Sequence, residues 1–225
     1  MAEATAPAAR PETAISRSAA LLSFAGAAAF VVLLAALHLI KPGLDPSWHF
    51  ISEYAIGDYG WIMVLAFLSL ALSYVGLFVA IRSQLRTIAG RIGLALLLVS
   101  SLGLAIAAAF TTDPITVSED AVTTEGTLHN VGGTLGIAQP FAAALVGWKL
   151  AGNPAWSSAK RPLLWATGLA LVAFVVSIVS LGVMVSQSGG EFGPDVPVGW
   201  PNRFEIVAYS AWLMVVARQA IRVRR

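Results

Sequence analysis

An all-α bundle of six membrane-crossing helices, with both chain ends in the cytoplasm, is the fold this sequence predicts. Three observations predict it. The 225 residues are 57% hydrophobic and only 12% charged, with a mean hydropathy of +0.78, whereas a soluble domain carries about 25% charged residues. Six separate stretches are long enough, at about 1.5 Å per helical residue, to cross a hydrocarbon core of about 30 Å. The charges also segregate: of fourteen basic residues only Lys41 and Arg203 fall on the side of the span pattern that holds ten of the twelve acidic ones.

The spans run Ala19 to Ile40, Trp61 to Ile81, Ile92 to Phe110, Leu128 to Lys149, Leu163 to Val185 and Phe204 to Ile221. The first follows Arg10 and Arg17 as a signal peptide would, but its apolar run exceeds the roughly 7–15 residues of a signal core, so it is read as a retained helix. The last is the shortest, and Arg218 within it reaches the interface by snorkelling. Gln139 followed by Pro140 predicts a kink inside the fourth. Residues 1–18, rich in Ala, Pro, Thr and Glu without apolar periodicity, read as a disordered cytoplasmic tail, and residues 19–225 as a single transmembrane domain. Basic residues in short loops stay cytoplasmic, which places a multi-pass protein in the cell membrane with the connections after spans one, three and five outside.

The net charge of +2 and pI near 9.2 come from arginines at the membrane ends, so the expected partners are membrane lipids and not nucleic acid. The absence of cysteine excludes disulfides, thiolate metal sites and a cysteine nucleophile. All three histidines lie toward the outer end, and so does most of the polar chemistry. In the first outer loop Asp45-Pro46 is a helix-start signal and Gly57 a stop. A short interfacial helix between them sets His49, Ser52 and Glu53 on one face. Asp113-Pro114 closes span three. In span four His129 leads a face of small residues, Gly132, Gly133 and Gly136, that turns it toward protein, with Glu125 above it and Asn130 beside it. Asn202, Arg203 and Glu205 open span six. Each of these has a structural reading too: an aromatic belt, a capping aspartate, a packed histidine, an ion pair tying a loop down.

Taken together, Ser52, Glu53, Gly57, Gly60 and Trp61, then Thr112-Asp113-Pro114, then Gly126 and His129, then Arg203, Glu205 and Trp212 resemble the six-helix prokaryotic membrane proteins of domain-of-unknown-function family 998. The resemblance covers about Ala19 to Arg222 and implies the architecture without an activity. The sequence reads Phe110-Thr111-Thr112-Asp113-Pro114 where that family has Phe-Pro-Thr-Asp-Pro. A looser likeness of parts, Ser52, Asp113, His38, His49 and His129, is to the zinc-dependent membrane hydrolases that include alkaline ceramidases and adiponectin-type receptors. The paired histidines of their last helix are missing here, and they have seven spans.

Three functions follow as expectations. The first is a binding, transport or accessory protein whose outer polar pocket, formed by Asp113, His129, Asn130, Arg203 and Glu205, receives a lipid, another apolar ligand or a membrane partner. The second is a zinc hydrolase acting on a lipid-like substrate. There His38, His49 and His129 would hold the metal, Glu53 would act as base and Ser52 would donate to the oxyanion. The third is a haem protein ligated by His38 and His129. No span carries the continuous polar stripe of a channel. An unpaired charge near hydrocarbon is costly, so Asp113 and Arg203 are expected to pair, with Glu53 or Glu205 beside them. The three histidines are expected at one depth, with His129 facing an outer cavity shared with Glu53 and at least one other histidine.

The topology has a direct test, because the chain has no cysteine of its own. Single cysteines at Ser118 or Ser188 should react with an impermeant maleimide on intact cells, and one at Ser157 only after permeabilisation. Labelling of Ser157 from outside would overturn the orientation.

Overall fold

The computed structural model describes residues 15–223, and among them there is helix and connecting loop but no strand. The membrane-length helices are α1 (Arg17–Ile40), α2 (Gly60–Ile81), α3 (Ile88–Ala109), α6 (Lys160–Gln187) and α7 (Gly199–Arg222). The fourth span is divided into α4 (Thr124–Leu135) and α5 (Ala138–Ala151). Six segments are long and apolar enough to cross a bilayer, as the hydropathy pattern predicts. Of the tail expected over residues 1–18, the first fourteen positions lie outside the described residues.

Hydroxyls start three of the helices. Ser16, Thr87 and Thr123 each accept a backbone N–H of the first turn, from Ala19, Gly90 and Gly126, which satisfies one of the donors a helix start leaves without a partner. The spans close into a ring in which α1 packs on α2, α2 on α3, α3 on both α4 and α5, α5 on α6, α6 on α7 and α7 back on α1. Between lipid-soluble helices the hydrophobic effect gives little selectivity, so small residues and interhelical hydrogen bonds specify the contacts. Ser73 Oγ on α2 donates to the Ser23 carbonyl of α1 at 2.7 Å, and Ser101 Oγ on α3 donates to the Ala71 carbonyl of α2 at 3.0 Å. Trp212 Nε1 on α7 donates to Thr167 Oγ1 on α6 at 3.1 Å. Where α3 crosses α4, a Cβ on Gly132 would sit 2.6 Å from the Gly103 carbonyl oxygen and 2.8 Å from Ala107 N, so only glycine fits.

α6 is the peripheral helix. Its buried residues, Leu163, Thr167, Ala170 and Ala173, all lie in its first half, and Val175, Ile178, Val179 and Val183 beyond them are exposed. This is the face a bilayer would cover. Connections 41–59, 110–123 and 188–198 meet at one end of the ring, here termed distal, opposite the start of α1 and the end of α7.

Several element boundaries differ from the sequence reading. α7 begins at Gly199, five residues before Phe204, because Trp200 and Pro201 continue as its first turn. The helix anticipated from Asp45-Pro46 is a turn instead. Asp45 Oδ1 accepts the Ser47 N–H at 2.8 Å, a local bond that competes with helix propagation. A five-residue 3-10 segment follows at Ile51–Ala55. Of the small-residue face, Gly132 is buried against α3 with His129, whereas Gly136 is half-buried, Gly133 faces open space and Glu125 is exposed.

The glycine crossing is testable by comparing two neighbours. Gly132→Val is expected to destabilise the protein in detergent by about 1–3 kcal/mol through overpacking. Gly133→Val, with nothing within 4 Å of its Cβ position, should leave the thermal midpoint nearly unchanged. Equal losses in both variants would refute the crossing.

Candidate functional site at the distal face

Two groups of polar side chains organise the distal end. The first is built on Arg203, which is 6% exposed on the first turn of α7. Its Nε donates to His38 Nε2 on α1 at 2.9 Å, and its Nη1 donates to the carbonyls of His49 at 2.6 Å and Gly199 at 3.1 Å. Nη2 reaches the Tyr54 hydroxyl at 3.5 Å, and the guanidinium carbon lies 5.7 Å from the Tyr54 ring centre. These partners fix a histidine tautomer. The Leu34 carbonyl, 2.7 Å from His38 Nδ1, can only accept, so the proton is on Nδ1 and Nε2 is the acceptor for arginine. The other distal base, Lys41, likewise serves carbonyls, those of Tyr54 and Ile56 at the end of the 3-10 segment. Burial pushes its ammonium below the usual lysine range, and the Asp58 carboxylate opposes that shift.

The expected ion pair of Arg203 with Asp113, Glu53 or Glu205 is therefore replaced by neutral acceptors. Asp113 instead binds the start of α4. It accepts the Thr123 N–H on Oδ2 and the Thr123 hydroxyl on Oδ1, both at 2.8 Å. The same hydroxyl accepts Gly126 N–H at 2.9 Å. A Cβ on Gly126 would lie 2.0 Å from Asp113 Oδ2, so a larger residue there would displace the carboxylate from Thr123. Glu205 sits lower on α7, accepting the Tyr209 hydroxyl at 2.7 Å, with Ser177 of α6 as a second side-chain partner.

Glu53 ties the second group together. It is 2% exposed, and its two oxygens accept Phe50 N–H at 2.9 Å and Ile115 N–H at 3.0 Å, joining the first distal connection to the one after α3. His49 Nδ1 lies 3.1 Å from Glu53 Oε2, but makes no hydrogen bond, so the contact is electrostatic only. Beside Glu53 a cleft of about 190 Å³ opens, whose walls include Ser52, Glu53, Asp113 and Asn130 together with Phe50 and Phe192. Four of the polar residues singled out in the sequence thus converge.

The histidines do not share that cleft. His129 is 5% exposed beneath it, and its Nδ1 is 3.0 Å from the Ala107 carbonyl and 2.9 Å from that of Phe110. It donates to carbonyls that the end of α3 leaves without partners. Each of His38, His49 and His129 has a different set of neighbours, and among the described residues no three His, Asp or Glu side chains gather as a metal site. Ser52 makes no hydrogen bond to a histidine or carboxylate among the described residues, and Glu53, assigned as base, has both oxygens engaged by backbone amides. Sequence reasoning missed Thr123, the partner of Asp113, although threonine is a favoured residue at a helix N-cap. It missed Phe192 as well, for which there was none.

Arg203→Met should cost on the order of 3 kcal/mol, since it strands two carbonyls and His38. In double-mutant cycles it should couple to His38→Leu by more than about 0.5 kcal/mol and be additive with Asp113→Asn. The reverse pattern, read from chemical or thermal denaturation, would restore the Asp113–Arg203 pair.

No curated protein and no solved structure matches this chain. The family model described as Protein of unknown function (DUF998) matches residues 24–219, and this protein accordingly belongs to the DUF998 family of membrane proteins.

Proposed function

We propose that this protein binds an amphiphile, a lipid or another ligand with an apolar tail, by seating its head group in the distal cleft. The observation that carries the reading is the convergence of Ser52, Glu53, Asp113 and Asn130, from three separate segments, on one opening at the ends of apolar helices. Intramembrane polar groups placed this way are costly unless they serve packing or a ligand. Glu53 and Asp113 serve both, since their bonds to backbone and Thr123 shape the cleft. Ser52 and Asn130 keep side-chain polar atoms for a ligand. The segregation of basic residues supports placing this face outside the cytoplasm.

Binding is favoured over hydrolysis by the setting of Ser52. A serine nucleophile needs a general base within hydrogen-bond reach, and among the described residues Ser52 makes no hydrogen bond to a histidine or carboxylate, while its neighbour Glu53 has both oxygens on backbone amides.

Filling the cleft tests the reading. Asn130→Trp should weaken retention of co-purifying amphiphile, measured by native mass spectrometry from mild detergent, by about tenfold or 1.4 kcal/mol, with an unchanged thermal midpoint. Retention equal to that of the unaltered protein would refute binding at this cleft.

A further inference from the structure

We infer that the head group taken by the distal cleft is cationic, an alkylammonium, an inference that rests on the reading of the cleft as a binding site and adds its charge. The field at this end has one sign. Ten acidic residues lie in the distal segments against Lys41 and Arg203, and both bases are turned to neutral acceptors. Among the described residues the only close contact between potentially opposite charges is His49 with Glu53. Lys41 acts on Asp58 and Arg203 on Asp45 only at longer range, and neither base forms a salt bridge among the described residues or reaches the cleft walls. The two cleft carboxylates thus keep a field of one sign that low-dielectric walls focus into a concave site.

The cleft is shaped for the same ligand. Its walls carry two carboxylates and neither lysine nor arginine. Glu53 is held by two backbone N–H groups and Asp113 by the N–H and hydroxyl of Thr123. These donors hold both carboxylates in fixed positions, so an arriving cation meets acceptor oxygens that are already placed. A carboxylate oxygen also has acceptor capacity beyond one bond. Phe50 and Phe192, from two different connections, meet edge-on with ring centres 6.3 Å apart and an angle of 61°. They add aromatic wall to the same opening, and aromatic faces attract ammonium groups and discriminate against anions. The volume of about 190 Å³ is below the roughly 300–1,000 Å³ of sites that engulf a whole small molecule. It suits a head group whose tail stays in the bilayer. A phosphate or sulfate head would face two fixed carboxylates with no cation to offset them.

The full chain carrying Val122→Cys at the cleft rim provides a readout, since it has no other cysteine. Its alkylation rate in neutral maltoside micelles is measured with octyltrimethylammonium, octyl glucoside or octyl sulfate added, with Ser188→Cys as the control for general micelle effects. Octyltrimethylammonium should slow alkylation by about tenfold at nine times its dissociation constant, and the other two should have little effect. Phe192→Ala should abolish the protection while leaving the thermal midpoint unchanged, and Asp113→Asn should reduce it. Equal protection by octyl glucoside, or stronger protection by octyl sulfate, would overturn the cationic assignment and leave binding at the cleft intact. Protection by none of the three would overturn both.

Discussion

A guanidinium with no carboxylate partner governs the distal end of this protein. Burying an arginine is expensive, and the cost is met here by dipoles, since the Arg203 donors end on two carbonyls, a histidine nitrogen and a phenol. Those acceptors belong to α1, to the first distal connection and to α7. One side chain thereby fixes three segments that are far apart in sequence. Lysine would supply the charge but not the planar fork of donors that reaches His38 and the His49 carbonyl together.

From Arg203 the polar contacts continue across the distal face. The His49 carbonyl receives the guanidinium while its ring lies against Glu53. Glu53 then holds the Ile115 amide, two residues beyond Asp113, and Asp113 holds Thr123 at the head of α4. Asn202 strengthens the start of this chain by accepting the Ile51 N–H at 3.1 Å. The cleft opens at the middle of the network and not at its edge. Its walls are therefore positioned by bonds from both sides, which is the preorganisation a selective site needs.

Hydropathy and charge placement were enough to read the six spans, because each depends on composition over some twenty residues and not on any single contact. Partners were harder. Asp113 was readable as a polar residue at a helix end, but whether it meets Arg203 or Thr123 is decided by loop geometry, and the local N–H and hydroxyl are both within reach. His129 was readable as facing protein, from its glycines, yet one face of a helix does not reveal the neighbour across it. That neighbour is the end of α3. The anticipated kink at Gln139-Pro140 appears one turn earlier, for a physical reason. Proline has no N–H to offer the Gly136 carbonyl four residues back and crowds it sterically. The Gln139 N–H bonds Gly136 instead, at 3.0 Å, and the helix restarts at Ala138.

That restart separates what a hydropathy plot treats as one span. α4 buries His129 and Gly132 against α3 and Gly126 against Asp113 of the connection that follows α3, whereas α5 buries Gln139, Ala142, Ala143, Val146 and Leu150 and packs on both α3 and α6. The two join through Gly136 and Ile137, which keep right-handed helical dihedrals in a tight turn. Asn130, and with it one wall of the cleft, takes its position from α3 and the distal loops and not from the helix that follows it in the chain. The upper turns of the fourth span belong architecturally to the third.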